Sequence, residues 1–141
     1  MSIGLVKKIV FVVLLFGSSA IWGQGRFQSG DLKGFTISPN EHIINHLDQP
    51  FVVRGVNGAV VFGDGSPMAM VLFEMRGPGN SQAIKAATTG PDGAFHIGNV
   101  YPGKYLFKAT ALGFQSIVGE VIISREAVRS QAIKLEMKPG V

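Results

Sequence analysis

The 141-residue sequence contains no cysteine, which removes disulfides, thiolate nucleophiles, cysteine-held zinc and thiolate-ligated iron–sulfur clusters together. Any fold it adopts stands on its core alone. Charge is sparse too, at 16% of residues, and beyond residue 50 the basic residues do not cluster: Arg54, Arg76, Lys85, Lys104, Lys108, Arg125, Arg129, Lys134 and Lys138 are spread singly. The contiguous basic stripe used to bind nucleic acid is missing, so no nucleic-acid partner is expected. One tryptophan and two tyrosines leave little material for stacking sugars. Long hydrophobic runs are absent as well. The longest covers residues 9–16, whereas roughly 20 apolar residues are needed to cross a bilayer as a helix. After residue 50 no window of ten residues keeps a helical period, which excludes an α/β fold.

What is present begins with a leader. Lys7 and Lys8 precede the apolar run and Gly17-Ser18-Ser19-Ala20 follow it, the charged, apolar and small-residue zones of a secretory signal peptide. Residues 1–20 are therefore expected to be cleaved after Ala20, giving an exported protein, periplasmic or secreted, with no permanent membrane span. Without Lys7 and Lys8 the chain keeps eleven basic and nine acidic residues, a net charge of +2.

Residues 21–37, rich in Gly, Gln and Ser without periodicity, read as a flexible arm. Ser38-Pro39-Asn40-Glu41 has the form of a capping box with proline at the first helical position, predicting a short helix over residues 38–50 that ends before Pro50. From Phe51 onward the texture is short β-rich runs at residues 58–62, 71–75, 82–89, 94–97, 104–111, 117–123 and 133–137. Turn sequences such as Gly63-Asp64-Gly65-Ser66-Pro67, Gly90-Pro91-Asp92-Gly93 and Pro102-Gly103 separate them. Val71, Phe73 and Met75 alternate toward one face, as do Tyr105, Phe107 and Ala109, and Ile133, Leu135 and Met137. Residues 117–123 are apolar almost throughout and predict a central strand buried on both faces. The pattern predicts an all-β, seven-stranded antiparallel β-sandwich with one short N-terminal helix, and with Phe62, Phe73, Phe95 and Phe107 in its core.

The ordered motifs Val53-Arg54-Gly55-Val56, Gly65-Ser66-Pro67-Met68, Thr89-Gly90-Pro91-Asp92-Gly93-Ala94-Phe95, Val100-Tyr101-Pro102-Gly103-Lys104-Tyr105 and Ala111-Leu112-Gly113-Phe114 resemble the carboxypeptidase regulatory-like domain family. These are prealbumin- or transthyretin-like β-sandwiches, also grouped with carbohydrate-binding-like folds. The resemblance covers residues 51–138 and rests mainly on turn chemistry. It implies a non-catalytic accessory or adhesion-type module outside the cytoplasm.

Candidate chemistry is thin. His42 and His46 stand four apart, so on the predicted helix both imidazoles would share a face and form part of a metal site with Glu41 or Asp48. Two ligands do not make a site, and Ile43-Ile44-Asn45 between them lack the glutamate base of a metallopeptidase helix. No Gly-x-Ser-x-Gly occurs, so no enzyme activity and no cofactor are expected. Tyr101 and Phe114, both beside turns, are the ligand-binding candidates for a carbohydrate-binding module. The preferred expectation is pairing of an exposed strand edge with a partner, an unknown protein or polysaccharide of the cell envelope.

Overall fold

The structure is a computed structural model that describes residues 32–39, 43–77 and 83–140. It contains nine strands among them: β1 (Ile44–His46), β2 (Phe51–Val53), β3 (Val56–Val61), β4 (Leu72–Arg76), β5 (Lys85–Thr88), β6 (Ala94–Ile97), β7 (Gly103–Thr110), β8 (Ser116–Ile123) and β9 (Ile133–Glu136). The fold is all-β, with no α-helix among the described residues. A larger sheet runs β1-β8-β7-β4-β5, with β2 also pairing β8, and a smaller one runs β6-β3-β9.

Both sheets are mixed. β1 and β2 lie parallel to β8 and β9 lies parallel to β3, while the other pairs are antiparallel. Two of the nine strands, β1 and β2, are additional to the seven expected, and the expected all-antiparallel pairing is corrected by the three parallel ladders. The expected helix over residues 38–50 is corrected as well: Ile44–His46 is a strand. A cap contributes about 1 kcal/mol to a helix too short to be stable alone. Against it stand the β-branched Ile43-Ile44 and the open side of β8, whose ladder extends to a bond from the Leu47 amide to the Val118 carbonyl.

β8 is the central strand that its almost wholly apolar run predicts, with β7 on one side and β1 and β2 on the other. Alternation sends Phe73 and Met75 of β4, Phe107 and Ala109 of β7, and Ile117 and Val121 of β8 into a core shared with Val56, Val60, Phe95, Ile133 and Leu135 of the smaller sheet. Three phenylalanines bind the layers. Phe73 stacks on Phe95 at 4.4 Å between ring centroids and on Phe107 at 5.1 Å. Phe62 departs from the core expectation. It lies one residue beyond β3, where the 62–66 turn carries it outward, and it is 37% exposed.

The other face of the larger sheet is also covered. Glu74 and Lys108, opposite each other on β4 and β7, are buried along with Arg76. Residues 32–37, expected to belong to a flexible arm, and Ser38, expected to cap a helix, pack here, with Phe35 and Ser38 buried. Residues 21–31 lie outside the described residues.

Candidate functional site

Between β5 and β6 the chain passes from the larger sheet to the smaller through a tight turn, residues 90–93. The Gly93 amide donates to the Gly90 carbonyl at 2.8 Å, the Gly90 amide to the Ala94 carbonyl at 3.1 Å, and the Ala94 amide to Asp92 Oδ1 at 3.1 Å. Gly93 has φ 75°, and a Cβ there would stand 2.6 Å from the Val60 carbonyl oxygen. Only glycine lets the turn lie against β3, where its carbonyl accepts from the Val60 amide at 2.8 Å.

β5 enters this turn and β6 leaves it, yet they belong to different sheets. Among the described residues β5 pairs only with β4 and β6 only with β3, so each is an edge with one row of backbone donors and acceptors unused by its own sheet. Because the Thr89 amide points inward to the Val71 carbonyl, antiparallel alternation turns the Ala86 and Thr88 amides outward. A cleft of about 560 Å³ opens beside the two strands. Ala59, Ala87, Ala94 and Ala132 line it together with Asn57, Thr88, Asp92, His96 and Lys134. His96 Nδ1 lies 2.6 Å from Asn57 Oδ1. With the amide oxygen as acceptor, that bond places the ring proton on Nδ1 and fixes the imidazole plane. Short side chains beside exposed backbone rows suit an extended peptide.

The residues singled out in the sequence do not converge. Tyr101 is 81% exposed in the loop before β7, where its carbonyl accepts the Tyr105 hydroxyl at 2.6 Å. Phe114 follows the far end of the same strand, partly buried against the core. At about 3.4 Å per residue, β7 holds them more than 20 Å apart, so they share no platform. Phe114 instead meets Phe62, ring centroids 5.8 Å apart and planes at 54°, and is held by a bridge to Pro139. Sequence reasoning missed that pair by assigning Phe62 to the core. The turn glycines beside it were the available signal.

His46 is exposed on β1, the opposite margin of the larger sheet from β5. His42 and Ala20 lie outside the described residues. No group of three His, Asp or Glu side chains able to hold a metal ion occurs among the described residues, and no described helix is long and apolar enough to cross a membrane. Among the described carboxyls, Asp64 lies below its ordinary value because the Ser66 hydroxyl and amide both donate to it. It stabilises the 62–66 turn.

No family model matches the chain, and no curated protein matches it. Among solved structures, the major pilin subunit BcpA of Bacillus cereus superposes with a TM-score of 0.46 at 17% identity, covering 60% of this chain and 27% of the pilin. The chain thus spans about a quarter of that subunit's length. 3-Chlorocatechol 1,2-dioxygenase from Rhodococcus opacus 1CP superposes at 0.45 and 13% identity, over 86% of this chain and 76% of the enzyme. Catechol 1,2-dioxygenase from Pseudomonas arvilla C-1 gives 0.45 and 12%, over 96% and 70%. Likenesses of this size, shared between a pilin and dioxygenases, carry no function to this chain.

Proposed function

We propose that this protein is an exported, non-catalytic accessory module of the cell envelope that holds a protein partner by strand addition at the β5–β6 edge. One observation carries the reading: two neighbouring edge strands diverge from the 90–93 turn beside an open cleft lined by four alanines among polar side chains. A strand added there gains a ladder of backbone bonds, with alternate side chains reaching the cleft. The two-sheet arrangement around one core supports a sandwich of the prealbumin type, and with it the carboxypeptidase regulatory-like resemblance. The leader pattern of residues 1–20 supports export, with a mature chain that begins at Ile21.

The test is Ala86→Pro. Proline there removes an outward amide that β4 does not use, and edge strands tolerate it. Wild type should retain an envelope protein on an affinity column and the variant should not, with both showing the same melting temperature. Equal retention by the two would refute the edge reading. Mass spectrometry of the exported chain checks cleavage after Ala20.

A second reading, a carbohydrate-binding module, is favoured by the Phe62–Phe114 pair at the surface. Saturable polysaccharide binding lost in Phe62→Ala or Phe114→Ala, and indifferent to Ala86→Pro, would replace the first reading with this one.

A further inference from the structure

Residues 32–38 lie on the face of β4 turned away from the shared core, and polar contacts hold them there. The Thr36 amide donates to Glu74 Oε1 at 2.9 Å and its hydroxyl to Glu74 Oε2 at 3.1 Å. Arg76 donates through Nη1 to the Lys33 carbonyl, and its guanidinium carbon stands 4.8 Å from the centre of the Phe35 ring. Gly34, at φ 93°, lets the segment approach so closely that a Cβ would meet Arg76 Nη1 at 3.2 Å. Glu74 and Arg76 are each only 6% exposed.

Folding of the sheet does not require charges at these positions. Glu74 and Arg76 sit two apart on the face opposite Phe73 and Met75, where aliphatic side chains under a hydrophobic cover would be at least as stable as buried ions. What they add is selectivity. A carboxylate that reads one amide and one hydroxyl, and a guanidinium that reads a carbonyl and a ring, specify a segment of the form Gly-Phe-Thr that turns at Gly34, where the Phe35 amide donates back to the Leu32 carbonyl at 3.1 Å. Permanent interfaces are dominated by apolar contact, whereas those that form and separate are more polar.

We propose that the Glu74–Arg76 face of β4 is a receptor for a short peptide that turns at Gly34, filled in cis by residues 33–38 of the same chain and open in trans to the same residues of a second copy. Each copy then carries both a ligand and a receptor, so exchange joins copies through this face. The β5–β6 edge is not involved, and neither proposal depends on the other.

The test mixes two full-length variants. Phe35→Ala weakens the ligand and keeps the receptor, while Glu74→Gln does the reverse. Each alone should sediment as a monomer, and an equimolar mixture should form a heterodimer. A mixture that stays monomeric at about millimolar concentration, with both variants natively folded, overturns the proposal. Should either variant fail to fold, a synthetic peptide of residues 32–39 is titrated into the full-length Thr36→Val chain. The wild-type peptide should bind at least about tenfold more tightly than its Phe35→Ala version, and equal binding, or none, would overturn the proposal equally.

Discussion

At the residue scale, Thr89 ties the loop between β3 and β4 to the larger sheet. Its hydroxyl donates to the Met68 carbonyl at 2.7 Å and accepts from the Val71 amide at 2.9 Å, while its own carbonyl accepts from Met70. Met70 occupies the left-handed region at φ 66°, a conformation a non-glycine residue holds only where its surroundings fix it. Thr89→Val keeps the shape but strands a buried amide and a carbonyl. It should lower stability by about 1–3 kcal/mol, read as a shift of the urea midpoint at unchanged slope. Asp64 gives a different signature. Its folded pKa lies below the ordinary 3.8, so the carboxylate supports the turn above that value, and the support fades as pH falls through the lower folded value. The wild-type advantage over Asp64→Asn should therefore be constant near neutrality and shrink as the pH is taken below 3.8, a difference seen by comparing melting temperatures across that range. The Glu74 contacts were not legible in the sequence, because pairing Thr36 with a residue 38 positions later depends on tertiary placement that local pattern does not encode.

At the scale of elements, legibility followed pairing. β3 to β9 were readable because each combines alternation or an apolar run with a turn signal at its ends, as in Ala94–Ile97 between Gly93 and Gly98. β1 and β2 carry no such signal. They are three residues each, too short to show a period, and their parallel pairing with β8 is fixed by contacts more than 65 residues away. A capping sequence with nothing to bury lost to an open ladder. The same weakness predicts their dynamics. β1 is a short edge strand with partly exposed side chains, whereas β7 and β8 are paired over seven residues at the centre of the sheet. Hydrogen exchange should show the Leu47 amide opening locally, at a free-energy cost well below that of global unfolding, while the amides shared by Phe107 and Gly119 exchange only when the whole domain unfolds. Equal protection of the two sets would mean that β1 belongs to the cooperative centre.

At the scale of the molecule, two sheets held by one column of rings should behave as a single cooperative unit. Phe73 touches Phe107 within the larger sheet and Phe95 across the gap, and the ring of Phe95 lies over Gly58, where a Cβ would meet it at 2.4 Å. The smaller sheet cannot form early on its own, because its parallel pair joins Gly58 to Ile133, so closing it requires the chain between them to be in place. Phe107→Ala empties the column on one side and Phe95→Ala on the other. Each should cost about 3–5 kcal/mol, and each should leave one transition, with far-ultraviolet circular dichroism and exchange of amides in both sheets reporting the same midpoint. If Phe95→Ala instead released β6, β3 and β9 at lower denaturant than β7 and β8, the sheets would be separable layers. The rings would then serve as contact between two units and not as their common core.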